Sequence, residues 1–226
     1  MPTIADQSWT KLYHLGLLGL AFSAYASETL VIIWFYFFAA ISILLWRFGE
    51  GSWNLANGVT LLRAAVTLAA LCSSSQTLMF GLLVALLLDG LDGFIARRLR
   101  CETQVGSMFD VELDSLTVLS MTMLIAWSQE PLAAVIFLGL LRSIVVVLRF
   151  QLWPAVLQER RSSGGRLVFL LSYLVILAQV VAPSSGSTWA LLSVGILLTW
   201  SFSLDLIFFM RQNRRIQIKS KQPVRT

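Results

Sequence analysis

The chain has 226 residues, 57% hydrophobic and 13% charged, with mean hydropathy +0.78 and formal net charge +5. Soluble domains carry about 25% charged residues, so this composition excludes an ordinary soluble globular protein and reads as one integral membrane domain. Nucleic-acid binding is excluded as the meaning of the positive charge, because no basic patch with aromatics forms a soluble domain.

Residues 1–11 are polar, with Asp6 and Lys11, and residues 12–26 are apolar but only long enough for a short span. That segment ends Ser23-Ala24-Tyr25-Ala26, the form of a signal-peptidase site, yet the n-region is weak and a second apolar run, Leu30 to Trp46, follows at once. We read 1–53 as an uncleaved hydrophobic helical hairpin; a cleaved signal or an interfacial helix is the alternative. His14, the only histidine, reads as an interface residue rather than a ligand. Nothing in the residues assigns the hairpin a role. After the polar loop Arg47 to Trp53, residues Asn57, Thr60 and Arg63 recur every three positions and share one helical face. A helix cap with a snorkelling arginine accounts for them without function.

An uncharged turn, Ser73 to Gln76, leads into an apolar helix that ends in the stretch the chain is organised around, DGLDGFIARRLRCETQVGSMFDVELD from Asp89 to Asp114. Asp89 and Asp92 are three apart and Asp110 and Asp114 four apart, so each pair shares a helical face. Packed side by side, the two helices bring four carboxylates into one pocket. Two unit charges about 4 Å apart repel by about 4 kcal/mol at an effective dielectric near 20. Either several carboxylates are protonated, as in a proton relay or a structural cluster, or divalent cations neutralise them. Oxygen-only ligand sets suit Mg²⁺, Mn²⁺ or Ca²⁺, and paired Mg²⁺-type ions suit phosphoryl chemistry.

Further apolar runs follow at 106–127, Leu132 to Trp153, Leu167 to Val181 and Trp189 to Met210. The turns near 73–76, 128–131 and 183–187 carry no Lys or Arg, whereas the loops near 97–105 and 155–166 and the tail hold twelve of the seventeen. Such asymmetry puts the basic loops, the aspartates and the C-terminus in the cytoplasm. The predicted fold is all-α: a polytopic membrane bundle of six core transmembrane helices plus the N-terminal hairpin. Its divisions are the hairpin 1–53, a membrane domain 54–210 and a basic cytoplasmic tail 211–226. Cys72 and Cys101 fall at opposite faces and read as packing residues or idle thiols. Ionisable groups inside spans default to function, which singles out Arg63, Arg142, Arg149 and Asp205. Arg142 and Arg149 lie seven apart, two turns on one face, and suit a substrate phosphate; Arg149 snorkelling to the surface is the bland alternative.

Written out, the central stretch is D-x2-D-G-x2-A-R-x8-G-x3-D-x3-D, with every fixed position filled, and it resembles the signature of the CDP-alcohol phosphotransferase family. The resemblance implies that two Mg²⁺ or Mn²⁺ ions are held by Asp89, Asp92, Asp110 and Asp114, with Asp114 also the general base. Asn57, Thr60 and Arg63 match the N-x-x-T-x-x-R that members carry facing the nucleotide, although Ala56 stands where proline is frequent. Gly93, Ala96 and Gly106 lack bulk and let the nucleotide approach, and Arg97 contacts the pyrophosphate or anchors a helix end. The implied reaction moves the phosphatidyl group of CDP-diacylglycerol to a small polar alcohol and releases CMP. Residues 141–149, LRSIVVVLR, are similar to the R-E-I-x4-L-R of phosphatidylglycerophosphate synthases, with Ser143 in place of Glu. The G-K-x-K-T expected next is replaced by Gly164-Gly165-Arg166-Leu167-Val168, and Leu148 to Gln151 faintly echoes the R-F-N of phosphatidylserine synthases. Glycerol 3-phosphate is the first-choice acceptor, its phosphate received by Arg142, Arg149 and Arg166; serine or inositol phosphate is the alternative. Phospholipid biosynthesis in a bacterial inner membrane, as a homodimer, completes what the resemblance implies. A cation or proton transporter with a carboxylate cluster is the competing class; it predicts internal repeats, and no convincing repeat is present. A catalytically dead member would show a damaged signature, and this one is whole.

Overall fold

The computed structural model describes residues 4–26, 30–47, 55–73, 75–99, 104–129, 135–153 and 163–221. Among them are eight helices and no strand: α1 (Ile4–Ala26), α2 (Val31–Arg47), α3 (Leu55–Leu71), α4 (Ser75–Leu99), α5 (Gln104–Ser128), α6 (Ile136–Leu152), α7 (Ser163–Val181) and α8 (Ser185–Lys221). Consecutive helices pack as pairs, α1 with α2, α3 with α4, α5 with α6 and α7 with α8.

Several helices run further than the apolar runs that define them. α1 takes in Asp6 and Lys11, and its 23 residues rise about 34 Å, where 12–26 alone falls short of a bilayer. α4 continues past the aspartates to Leu99, so Arg97 and Arg98 are helical rather than in a loop. α8 has 37 residues and carries the basic segment as helix to Lys221. No Gly or Pro interrupts 211–221, so nothing in the backbone stops the helix where hydrophobicity ends. Its start is set locally. The Ser187 N–H donates to Ser184 Oγ (3.1 Å) and the Ser184 N–H to Ser187 Oγ (2.9 Å), a reciprocal cap one residue after Pro183.

Gln76–Ile95 and Ser185–Arg214 are long and apolar enough to cross a membrane by length and composition, and Ile33–Ser42, Gly58–Leu71 and Leu167–Val181 are shorter apolar stretches. The outer surface is correspondingly apolar: Phe22, Phe35, Phe80, Leu87, Trp189 and Ile196 are all exposed. Large apolar side chains exposed in such number suit a non-aqueous surrounding.

The centre of the bundle is α5. Every residue from Ser115 to Met123 is buried, so the helix is covered on all faces. Three of its hydroxyls cost little there because they bond back within the helix: Thr117 to the Leu113 carbonyl (2.8 Å), Ser120 to Leu116 (2.9 Å) and Thr122 to Leu119 (2.9 Å). Small residues let backbones meet. A Cβ on Gly81 of α4 would lie 2.5 Å from Ala70 Cβ of α3, and one on Gly139 of α6 would lie 2.6 Å from Leu119 Cα of α5.

The N-terminal hairpin belongs to this core. α1 buries Tyr13, Leu17, Ala21 and Ala24, a stripe at helical spacing, and α2 buries Ile33, Trp34, Phe37, Ala40 and Ile41 in the same cluster as α3–α7. Indole N–H groups tie both helices to α5: Trp34 Nε1 donates to Ser120 Oγ and Trp127 Nε1 to the Tyr25 carbonyl, each at 3.0 Å.

Candidate active site

The site forms where α3, α4 and α5 converge. On α3, Thr60 and Arg63 of the three-residue repeat are buried, and Thr67, one helical turn further on, extends them into a buried polar stripe. Arg63 is only 3% exposed, a depth that an arginine tolerates when it is paired. Its guanidinium reaches three carboxylates. It forms a close ion pair with Asp89 of α4, and its other terminal nitrogen lies 2.8 Å from Asp110 Oδ1 and 3.2 Å from Asp114 Oδ1 of α5. The same nitrogen donates to the Asp110 carbonyl at 3.2 Å. The spacing of four along α5 stacks Asp110 over Asp114 on one face, and the close α3–α4 packing at Gly81 brings Asp89 to the same place.

One carboxylate oxygen from each of Asp89, Asp110 and Asp114 lies within 4.8 Å of the others. All three are about a third exposed, so the cluster opens to one side while Arg63 closes the other. Three ionised carboxylates and one guanidinium sum to −2, a charge that one divalent cation balances. The donors are all oxygen, the set hard dications prefer. The residues therefore fit a Mg²⁺- or Mn²⁺-type ion on the open side. Asp92 lies three residues beyond Asp89 on α4, but its side chain is outside the described residues, as are those of Asn57, Ala96, Arg97 and Arg166. Gly93 on α4 and Gly106 near the start of α5 are both partly buried.

The two remaining arginines lie elsewhere. Arg142 on α6 donates to Glu112 Oε1 at 2.8 Å. Arg149 is 6% exposed and its guanidinium lies over the rings of Phe150 and Phe209, 5.2 and 5.4 Å from their centres. That is a buried cation–π seat between α6 and α8 rather than a snorkelling side chain. Asp205 is partly buried on α8, which packs on α6.

Two buried polar residues are not placed by sequence: Glu112 is not singled out there, and His14 is read as an interface residue. Glu112 is 5% exposed and His14 fully buried, with His14 Nε2 3.3 Å from Glu112 Oε1 and Nδ1 3.1 Å from Ser143 Oγ. His14 is therefore an interior residue and not an interface residue. Glu112 was legible as an ionisable group inside a span, but it sits between two signature aspartates and is easily taken for one of their company.

An apolar-surfaced helical bundle with clustered carboxylates at a helix junction defines a class, membrane proteins that handle cations or charged phosphate groups. Within that class the particular family follows from the comparison with known proteins: residues 53–201 match CDP-alcohol phosphatidyltransferase, and the chain belongs to that family. It is thus a phosphotransferase of phospholipid biosynthesis and a membrane protein, and the transporter reading gives way. No curated protein and no solved structure matches the chain.

Proposed function

We propose that this protein transfers the phosphatidyl group of CDP-diacylglycerol to a small polar alcohol and releases CMP. The observation that carries this reading is the meeting of Asp89, Asp110 and Asp114 on one guanidinium, at the spacing of the family signature. In this reading Asp89, Asp92, Asp110 and Asp114 hold two Mg²⁺ or Mn²⁺ ions. When bound, such ions neutralise the pyrophosphate and orient in-line displacement. Asp114 takes the proton of the acceptor hydroxyl, whose oxygen bonds to the β-phosphorus as the bond to the CMP oxygen breaks. Arg63 keeps the acidic cluster together from its buried side, and Asn57, Thr60, Gly93, Ala96, Arg97 and Gly106 bound the nucleotide. The acyl chains of the donor lie against the apolar outer surface.

We assign α3–α8 as six core spans and α1–α2 as an added hairpin, with the domain divided at 54 and 210. The basic loops, the site and the end of α8 face the cytoplasm of a bacterial inner membrane, and the working unit is a homodimer. Glycerol 3-phosphate is the first acceptor to test. A second reading is favoured by a specific observation: Arg142 is engaged by Glu112 and Arg149 is seated between two phenylalanines, so a phosphate has fewer waiting cations than the sequence suggests. That favours an acceptor such as serine. The deciding experiment is CMP release by the purified protein with Mn²⁺ or Mg²⁺ and CDP-diacylglycerol, offered glycerol 3-phosphate, serine, inositol phosphate and choline in turn. Turnover with one acceptor supports the reading and identifies the product class; no CMP with any of them overturns it.

A further inference from the structure

The matching family region begins at residue 53, so α1 lies outside it. Yet α1 sends one polar side chain through the core to α5, the helix that carries two of the three clustered aspartates. His14 Nε2 sits 3.3 Å from Glu112 Oε1, and its Nδ1 sits 3.1 Å from Ser143 Oγ on α6. Arg142 of α6 binds the same Glu112 oxygen at 2.8 Å. The ring of His14 is held edge-on by Tyr13, which stacks on Tyr36 of α2. The other Glu112 oxygen, Oε2, is buried without a hydrogen-bond partner among the described residues, so the carboxylate depends on what reaches Oε1.

Glu112 is two residues from Asp110 and two from Asp114. Two residues are roughly 200° around a helix and about 3 Å along it, so Glu112 points away from the aspartate face at the same level. α5 is therefore gripped by charge on opposite sides at one height. Arg63 of α3 holds Asp110 and Asp114, and His14 with Arg142 holds Glu112. Rotating or sliding α5 to disturb one grip disturbs the other. A buried carboxylate resists losing its partners strongly, because the charge would be left uncompensated.

We propose that His14 is a positioning residue of the aspartate site: α1 reaches Glu112 and Ser143 through it and so sets the register at which α5 presents Asp110 and Asp114. Position 143 itself shows how the arrangement is built. A serine there leaves room for the imidazole, and the carboxylate that pairs Arg142 comes from α5 instead. The inference rests on the metal-binding reading of the preceding section, and the test separates the two.

The test uses the full chain in lipid nanodiscs and reads two quantities, Mn²⁺ affinity by electron paramagnetic resonance and hydrogen exchange of the α5 amides at 109–115. His14→Ala is expected to weaken Mn²⁺ binding about tenfold, the scale on which supporting residues act on metal sites, and to speed exchange at 109–115 but not in α7. His14→Gln keeps an amide that can donate to Glu112 and is expected to restore most of both. Should His14→Ala fail to fold, Ser143→Ala, which removes only the hydroxyl at Nδ1, is expected to shift both readouts the same way by a smaller amount. Wild-type affinity and exchange in His14→Ala would overturn the proposal, and so would His14→Gln behaving as His14→Ala. If the wild type itself binds no Mn²⁺, the metal reading falls, and the exchange measurement alone decides whether His14 sets α5.

Discussion

Arg63 is the residue on which the acidic cluster turns. It is buried to 3% exposure and meets three carboxylates from two helices. Hydrogen bonds to charged groups contribute about 1.5–3 kcal/mol each, and losing one partner of a pair costs more than the pair was worth. Arg63→Met is therefore expected to lower the thermal midpoint of the metal-free protein by several degrees. Adding Mn²⁺ should recover more stability in that variant than in the wild type, because the aspartates then have no other cation. A thermal melt in detergent with and without Mn²⁺ reads both effects, and an unchanged midpoint would remove Arg63 from this role. Asp114 differs from Asp110 in being the least exposed of the three, at 29%. Asp114→Asn keeps the shape and removes the proposed base, so on that proposal turnover should fall by about 10²–10⁴ while CDP-diacylglycerol still binds. Loss of nucleotide binding in that variant would make Asp114 chiefly a metal ligand.

Among the elements, α5 and its contacts decide where the site residues sit. The α5–α6 approach depends on Gly139, where an added Cβ would run into the Thr122 hydroxyl and lie 2.6 Å from the Leu119 Cα. A hydroxyl can rotate away; a backbone atom of a helix buried on every face cannot. Gly139→Ala is expected to cost about 1–3 kcal/mol and to push α6 outward, carrying Arg142 and Ser143 from Glu112 and His14. Gly90, where nothing lies within 4 Å of an added Cβ, is the matched control: Gly90→Ala should melt within a degree or two of the wild type. A comparison of the two melting curves tests whether the glycine at the helix crossing, rather than glycine in general, is required. The long α8 belongs to this scale too. Its reciprocal Ser184–Ser187 cap defines one end and the absence of Gly or Pro from 211–221 lets the other run on.

For the whole molecule, one native residue tests the proposed sidedness. Cys72 is exposed at the end of α3, in the turn between α3 and α4, whereas Asp89 lies well along α4 from that turn, beside Arg63 in the middle of α3. Arg97, Arg98 and Arg100 follow the aspartates Asp89 and Asp92 in the chain, whereas the segment 73–76 beside Cys72 carries no Lys or Arg. In a Cys101→Ser background, a membrane-impermeant maleimide added to intact cells is expected to label Cys72, while a cysteine placed at Thr226 should react only after lysis. Labelling of the second site in intact cells would invert the proposed orientation. The hairpin carries a second prediction at this scale. Because α1 and α2 share the buried cluster with α3–α7, removing residues 1–53 should abolish a monodisperse, active protein although the family region stays intact. A chain so shortened that still releases CMP at the wild-type rate would contradict it.

Composition is enough to establish a helical membrane protein, because burial in lipid demands long apolar helices, and residue spacing carries the resemblance to the family that the comparison then shows. They are enough to single out Asp89, Asp110, Asp114 and Arg63 as well, since helical periodicity alone says which neighbours share a face. What periodicity cannot say is which face meets which helix. That Arg63 sits among the aspartates, that Arg142 answers to Glu112, and that α1 reaches α5 and α6 through His14 are matters of packing between segments separated by as many as 129 positions in the chain. Side-chain pairing across such distances depends on how whole helices nest, and only their arrangement in space decides it.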